Sequence, residues 1–138
     1  MTYTLATTVS LPWAEALERT REALAAQGFG ILTEINIRST FEAKLGSEAA
    51  DAVGDYVILG ACNPSLASRA LAAEPQMGAL LPCNVVVRRN NSADVTTVEA
   101  IDPQAMVQLS SARAVQDVAD DAGTRLRKAL ASLGQADG

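Results

Sequence analysis

Histidine is absent from the 138 residues. That removes the usual general base near neutral pH, the partner that activates serine and cysteine nucleophiles, and the commonest metal ligand. Any catalysis would run on carboxylates, a thiol, a lysine or a tyrosine, and no catalytic motif is present. Aromatic residues are scarce at 4%, so alanine and branched aliphatics must fill the core. Basic residues are few and scattered. Eleven stand against sixteen acidic ones, for a net charge of −5, and no basic run is longer than two residues, as at Arg88-Arg89. Nucleic-acid binding needs clustered Lys and Arg to displace counterions from phosphates, so nucleic acid is not an expected partner. Nor is a membrane: no stretch approaches the ~20 apolar residues that span a bilayer. Met1-Thr2-Tyr3-Thr4 lacks the basic start of a signal peptide. The expected setting is cytoplasmic, where Cys62 and Cys83 stay reduced.

What is present suffices for a core: 49% of the residues are hydrophobic and 20% charged. The length fits one domain, expected over residues 1–134, with 135–138 a frayed tail. Tyr3, Leu5, Thr7 and Val9 alternate as a strand does. Pro12 suits the first turn of a helix over 12–27, on which Trp13, Leu17, Thr20 and Leu24 share one face. Gly28 then reads as a left-handed stop, with Phe29 folding back on Leu24.

Ile31, Ile35 and Ile37 fall on one face of a second strand, and Glu34 and Asn36 on the other. Ser39 with Glu42 is a capping-box pattern that opens a short helix ending at Gly46. Residues 46–54 show no clean period and read as loop. A third strand, 56–61, closes at Asn63-Pro64, and Pro64 starts a helix that ends before Pro75. Cys83 to Arg89 is a fourth strand, rich in β-branched residues. Asn90-Asn91-Ser92 turns it into a fifth, Val95 to Ile101, as an antiparallel hairpin. A last helix starts near Ser111 and stops at Gly134. Val115, Val118, Ala119, Ala122, Leu126, Ala129, Leu130 and Leu133 form its continuous apolar stripe.

The pattern β-α-β-β-α-β-β-α predicts an α+β fold: a mostly antiparallel, curved sheet of about five strands with helices on one face. A ferredoxin-like split βαβ arrangement is the alternative.

Two constellations stand out. Cys62-Asn63 closes the third strand and Cys83-Asn84 opens the fourth. If these strands run antiparallel, both cysteines lie at the same end of the sheet and form a thiol-redox pair or bind a soft metal. Their spacing is not that of a zinc motif. As purely structural residues, the cysteines are small buried hydrophobes and Asn63 is a helix cap. Glu34 and Lys44 form the second candidate pair; their structural alternative is a surface carboxylate and a helix-end lysine. Met77, Met106 and Trp13 read as core or interface residues.

The strings GFGILTEI (28–35), KLG (44–46), YVILGACNPSLASRAL (56–71), LLPCNVVV (80–87) and AIDP (100–103) resemble the domain of unknown function 302 family. The resemblance covers over half the chain. Asn36 stands where members often carry aspartate. It implies an α+β fold of TATA-box-binding-protein-like topology and a homodimer, and it implies no established activity. Taken together, these observations lead us to expect a dimerising small-ligand- or partner-binding domain without catalytic activity, cofactor or resident metal. Its candidate ligand-binding residues are Cys62, Asn63, Cys83, Asn84, Glu34 and Lys44, its ligand held between sheet and long helix. The alternative is thiol-redox or soft-metal chemistry at Cys62 and Cys83.

Overall fold

Alternation of apolar residues along five strands decides the architecture. In the computed structural model, which describes residues 3–136, β1 (Thr4–Val9), β2 (Gly30–Asn36), β3 (Asp55–Cys62), β4 (Cys83–Arg89) and β5 (Thr96–Ile101) form one sheet. Its order is β1-β5-β4-β3-β2, and every neighbouring pair is antiparallel. In a split βαβ unit the two helix-linked strands lie parallel with one strand between them, whereas here β1 and β2 are the opposite borders of the sheet and β3 and β4 are antiparallel neighbours, so the strand order is not that of the ferredoxin-like alternative.

Cross-strand partners share a face, which sorts the side chains into two sets. Val57, Leu59 and Ala61 stand opposite Val87, Val85 and Cys83, and Val85 and Val87 stand opposite Ala100 and Val98. All are buried, beneath α1 (Trp13–Ala26) and α6 (Arg113–Ala136). Every residue of the apolar stripe expected on the last helix is buried too. Tyr56, Ile58, Val86, Arg88, Thr97, Glu99 and Ile101 fall on the other face and are exposed or only half-buried.

The end of α1 follows its sequence signal. Gly28 takes a φ of +87°, a left-handed conformation open to glycine. The Phe29 and Gly28 amides donate to the Leu24 and Ala25 carbonyls at 3.0 Å each, a Schellman closure that carries Phe29 into the core.

Three local expectations are corrected. Residues 46–54 are not loop: α3 (Ser47–Val53) forms there, between Gly46 and Gly54, both at positive φ. Its run of alanines with Glu48 in the first turn favours a helix too short to show a period, and Ala50 is its buried anchor. The helix before it, α2 (Ile37–Leu45), starts ahead of the Ser39–Glu42 pattern. Asn36 caps it by accepting the Ser39 amide at 3.0 Å, which ends β2 and moves Ile37 into the helix. Gly134 does not stop α6, which continues to Ala136. Of the tail expected at 135–138, residues 135–136 are helical and 137–138 lie outside the described residues.

The remaining elements are α4 (Pro64–Ala73), a 3₁₀ segment (Pro75–Leu80) and α5 (Gln104–Val107). Among the described residues no helix is long and apolar enough to cross a membrane.

Candidate functional site

The antiparallel pairing of β3 with β4 brings the two Cys-Asn pairs to one end of the sheet. Ala61 is directly opposite Cys83, which sets Cys62 diagonally across from it. Both thiols are free; Cys62 is half-buried and Cys83 is 7% exposed. Both residues line one small cavity of about 30 Å³ together with Met106, Phe29, Leu66 and Val118, but alternation along β3 turns the Cys62 side chain to the face opposite that of Cys83. Such a space admits a single water or ion. Burial, and after it the neighbouring Cys62, push the Cys83 thiol up from 9.0 to about 11. A thiol held protonated is a poor nucleophile, so Cys83 is unsuited to attack on a disulfide.

The two asparagines part company. Asn63 caps α4, accepting the Leu66 amide at 3.1 Å, with Pro64 in the first turn where its missing N–H costs nothing. Its side chain also lies over Gly28, where an added Cβ would come within 2.9 Å of Nδ2. Asn84 is exposed and belongs to the uncovered face.

Glu34 and Lys44 are not brought together. A bulge between Ile31 and Thr33 shifts the register of β2, so that Glu34 stands opposite the buried Leu59 and Ile35 opposite Ile58. The reversal turns Glu34 towards the helices, where its carboxylate pairs with Arg21 of α1. Ile35, assigned by alternation to the same face as Ile31, is instead on the uncovered side and 47% exposed. Lys44 is exposed in the last turn of α2.

The space between sheet and long helix, where a ligand groove was expected, is filled by core side chains. The larger concavity is on the opposite side: a groove of about 500 Å³ lined by Tyr3, Thr4, Tyr56, Asn84, Val86, Glu99 and Ile101. Its floor is aliphatic, and its polar groups are a carboxamide, two phenols, a threonine hydroxyl and a carboxylate. Arg88 donates through Nε to Glu99 at 2.6 Å, which fixes the carboxylate and raises the guanidinium pKa above its ordinary value. A second hollow of about 210 Å³ shares Asn84 and Ile101 and runs on to Leu80, Met106 and Leu109. Leu80 and Leu109 are 41% and 73% exposed.

Of the six residues singled out in the sequence, only Asn84 lines these grooves, whereas Cys62, Asn63 and Cys83 gather at the small cavity. Tyr56, Val86, Glu99 and Ile101 carry no motif. Their signal is being the out-of-phase members of apolar strands, and only the register shows that they converge. Met106 escaped because its place at the small cavity depends on how the chain leaves β5.

The family model described as "Domain of unknown function DUF302" matches residues 5–133. A solved structure, "Crystal structure of uncharacterized conserved protein DUF302 from Bacillus stearothermophilus", is similar at 29% identity. That alignment covers 95% of this chain and 98% of the other, with a TM-score of 0.82. No curated protein matches. The family match reaches from β1 into the last turn of α6, and the chain belongs to the DUF302 family, a domain of unknown function.

Proposed function

We propose that this chain is a non-catalytic binding domain that pairs with a second copy and holds a small amphipathic molecule on the uncovered face of its sheet. The observation that carries this reading is the groove of about 500 Å³ over Val86 and Ile101. It lies within the range of volumes of small-molecule sites, roughly 300–1,000 Å³, and sets a few polar groups over an apolar floor as such sites do. The exposed Ile35, Leu80 and Leu109 border this face and give a second copy an apolar surface to cover. The missing histidine supports a binding role over a catalytic one.

Thermal-shift titration with a panel of amphipathic carboxylates, amines and alcohols tests the ligand. A rise in Tm with the native chain, lost in Val86→Arg, is the expected outcome. No shift from any of them would remove the ligand from the reading. Light scattering at micromolar concentration tests the pairing: a dimer is expected for the native chain and a monomer for Ile35→Asp. A native monomer would remove the second copy.

One observation favours a second reading, soft-metal binding at Cys62 and Cys83: both residues line a single small cavity at one end of the sheet. Thiolate is the ligand that selects soft ions, and a metal displaces the proton that burial otherwise retains. Two thiols that react with a maleimide at equal rates with and without added soft metal would speak against it.

A further inference from the structure

The two hollows on the uncovered face share Asn84 and Ile101 and make one trough along the strand direction. The strand register orders its lining. Tyr56 stands opposite Arg88, and in the next row Val86 stands opposite both Ile58 and Glu99. In the row after that, Asn84 stands opposite Gly60, and Ile101 opposite Thr4. Beyond it lie Leu80, Pro82, Ala105, Met106 and Leu109, with no hydroxyl, amide or charged side chain among them. Polar groups therefore gather towards one end of the trough and apolar ones at the other. A Cβ on Gly60 would come within 2.9 Å of Pro82 Cγ, so the missing side chain lets Pro82 close down beside Asn84.

We propose that this trough binds an uncharged amphiphile lengthwise, its hydrogen-bonding head between Tyr56 and Glu99 and its aliphatic chain laid past Asn84 and Ile101 towards Leu80 and Leu109. The proposal rests on the groove reading above and adds the charge of the ligand, its shape and its direction.

Charge selects the head. Among the described residues Glu99 is the single charged group lining either hollow, and Arg88 already engages its Oε1 at 2.6 Å. A carboxylate head would face this acid with no cation left to receive it. An ammonium head would have to displace Arg88, or share the carboxylate with it beside a like charge. A neutral amide or alcohol meets neither cost: its N–H or O–H donates to Glu99, and its oxygen accepts from a phenol. The far end selects the chain. Tyr3, Leu80 and Leu109, all large and exposed, line this one trough, so uncovered apolar surface is concentrated where the ligand would lie. An aliphatic chain laid against Leu80 and Leu109 removes that surface from water.

Isothermal calorimetry on the full chain tests the head with octanamide, octanoate and octylamine, and tests the chain with octanamide against hexanamide. Octanamide should bind about tenfold or more tightly than either charged analogue. Loss of two methylenes should weaken binding by about tenfold. Leu109→Asp puts a charge at the apolar end and Ala105→Phe fills it. Each variant, shown by its melting curve to be folded, should bind the two amides alike. A native chain that binds none of the probes would overturn both the groove reading and this proposal, and if light scattering finds it dimeric, the trough belongs to the second copy. Octanoate or octylamine bound as tightly as octanamide, with binding lost in Val86→Arg, would leave the groove reading standing and overturn the uncharged head. Equal native affinity for the two amides, or a native preference for the longer one kept by both folded variants, would overturn the direction of the ligand.

Discussion

The two faces of the sheet are made by the same strands and differ in everything else. On β3, Leu59 is fully buried beneath α1 and α6, while Ile58, one residue away, is half-buried on the open side. On β4, Val85 and Val87 are sealed from water, and Val86 between them floors a groove. One face has its composition dictated by packing; the other keeps aliphatic residues that packing within this chain does not require. That contrast separates what holds the fold from what is available for binding.

Neighbouring substitutions measure the contrast directly. Leu59→Ala removes a side chain with no exposed surface and should cost ~3–4 kcal/mol in urea unfolding. A cost below that of an exposed substitution would break the division into two faces. Next comes pH. Cys83 lies on the covered face, and its thiol is pushed from 9.0 to about 11 by burial and then by Cys62. The folded chain holds this proton more tightly than the unfolded one. The resulting stability is therefore complete below about pH 9 and lost as pH rises through 11. The loss should reach about 3 kcal/mol, and the urea midpoint of Cys83→Ala should fall less over the same window. Parallel pH profiles for the two chains would place Cys83 outside the sealed interior. The smallest effect belongs to Ile58→Ala, at about 1 kcal/mol, because the open face leaves much of that side chain in water. A cost equal to that of Leu59→Ala would show that the open face is part of the same core.

Much of the covered face was legible in the sequence. The stripe from Val115 to Leu133 carries a 3.6-residue period, Val85-Val86-Val87 is β-branched, and Gly28-Phe29 announces the end of α1. Asn63 could be read as a cap because Pro64 follows it. What failed, failed through register. A bulge leaves no mark in composition, so the alternation of Ile31, Ile35 and Ile37 suggested one continuous face where the chain turns over between Ile31 and Thr33. Glu34 was placed off the apolar side for the same reason, and its pairing with Arg21 follows from a shift that no pattern of residue types shows. The cysteines were legible as neighbours only on condition that β3 and β4 run antiparallel, which they do. Met106 needed the path of the chain after β5, which is a matter of tertiary packing.

The same bulge has a consequence for how the protein behaves in crowded solution. β2 is the least covered strand and an outer border of the sheet, with unpaired amides and carbonyls along one side. An uninterrupted border of that kind is a template on which foreign strands stack towards fibrils. Here the irregularity leaves regular backbone only over 33–36, and Asn36 at once diverts the chain into a helix. A stretch that short offers too few consecutive bonding groups for a stray strand to settle on, so a rim rich in isoleucine is kept from seeding aggregates.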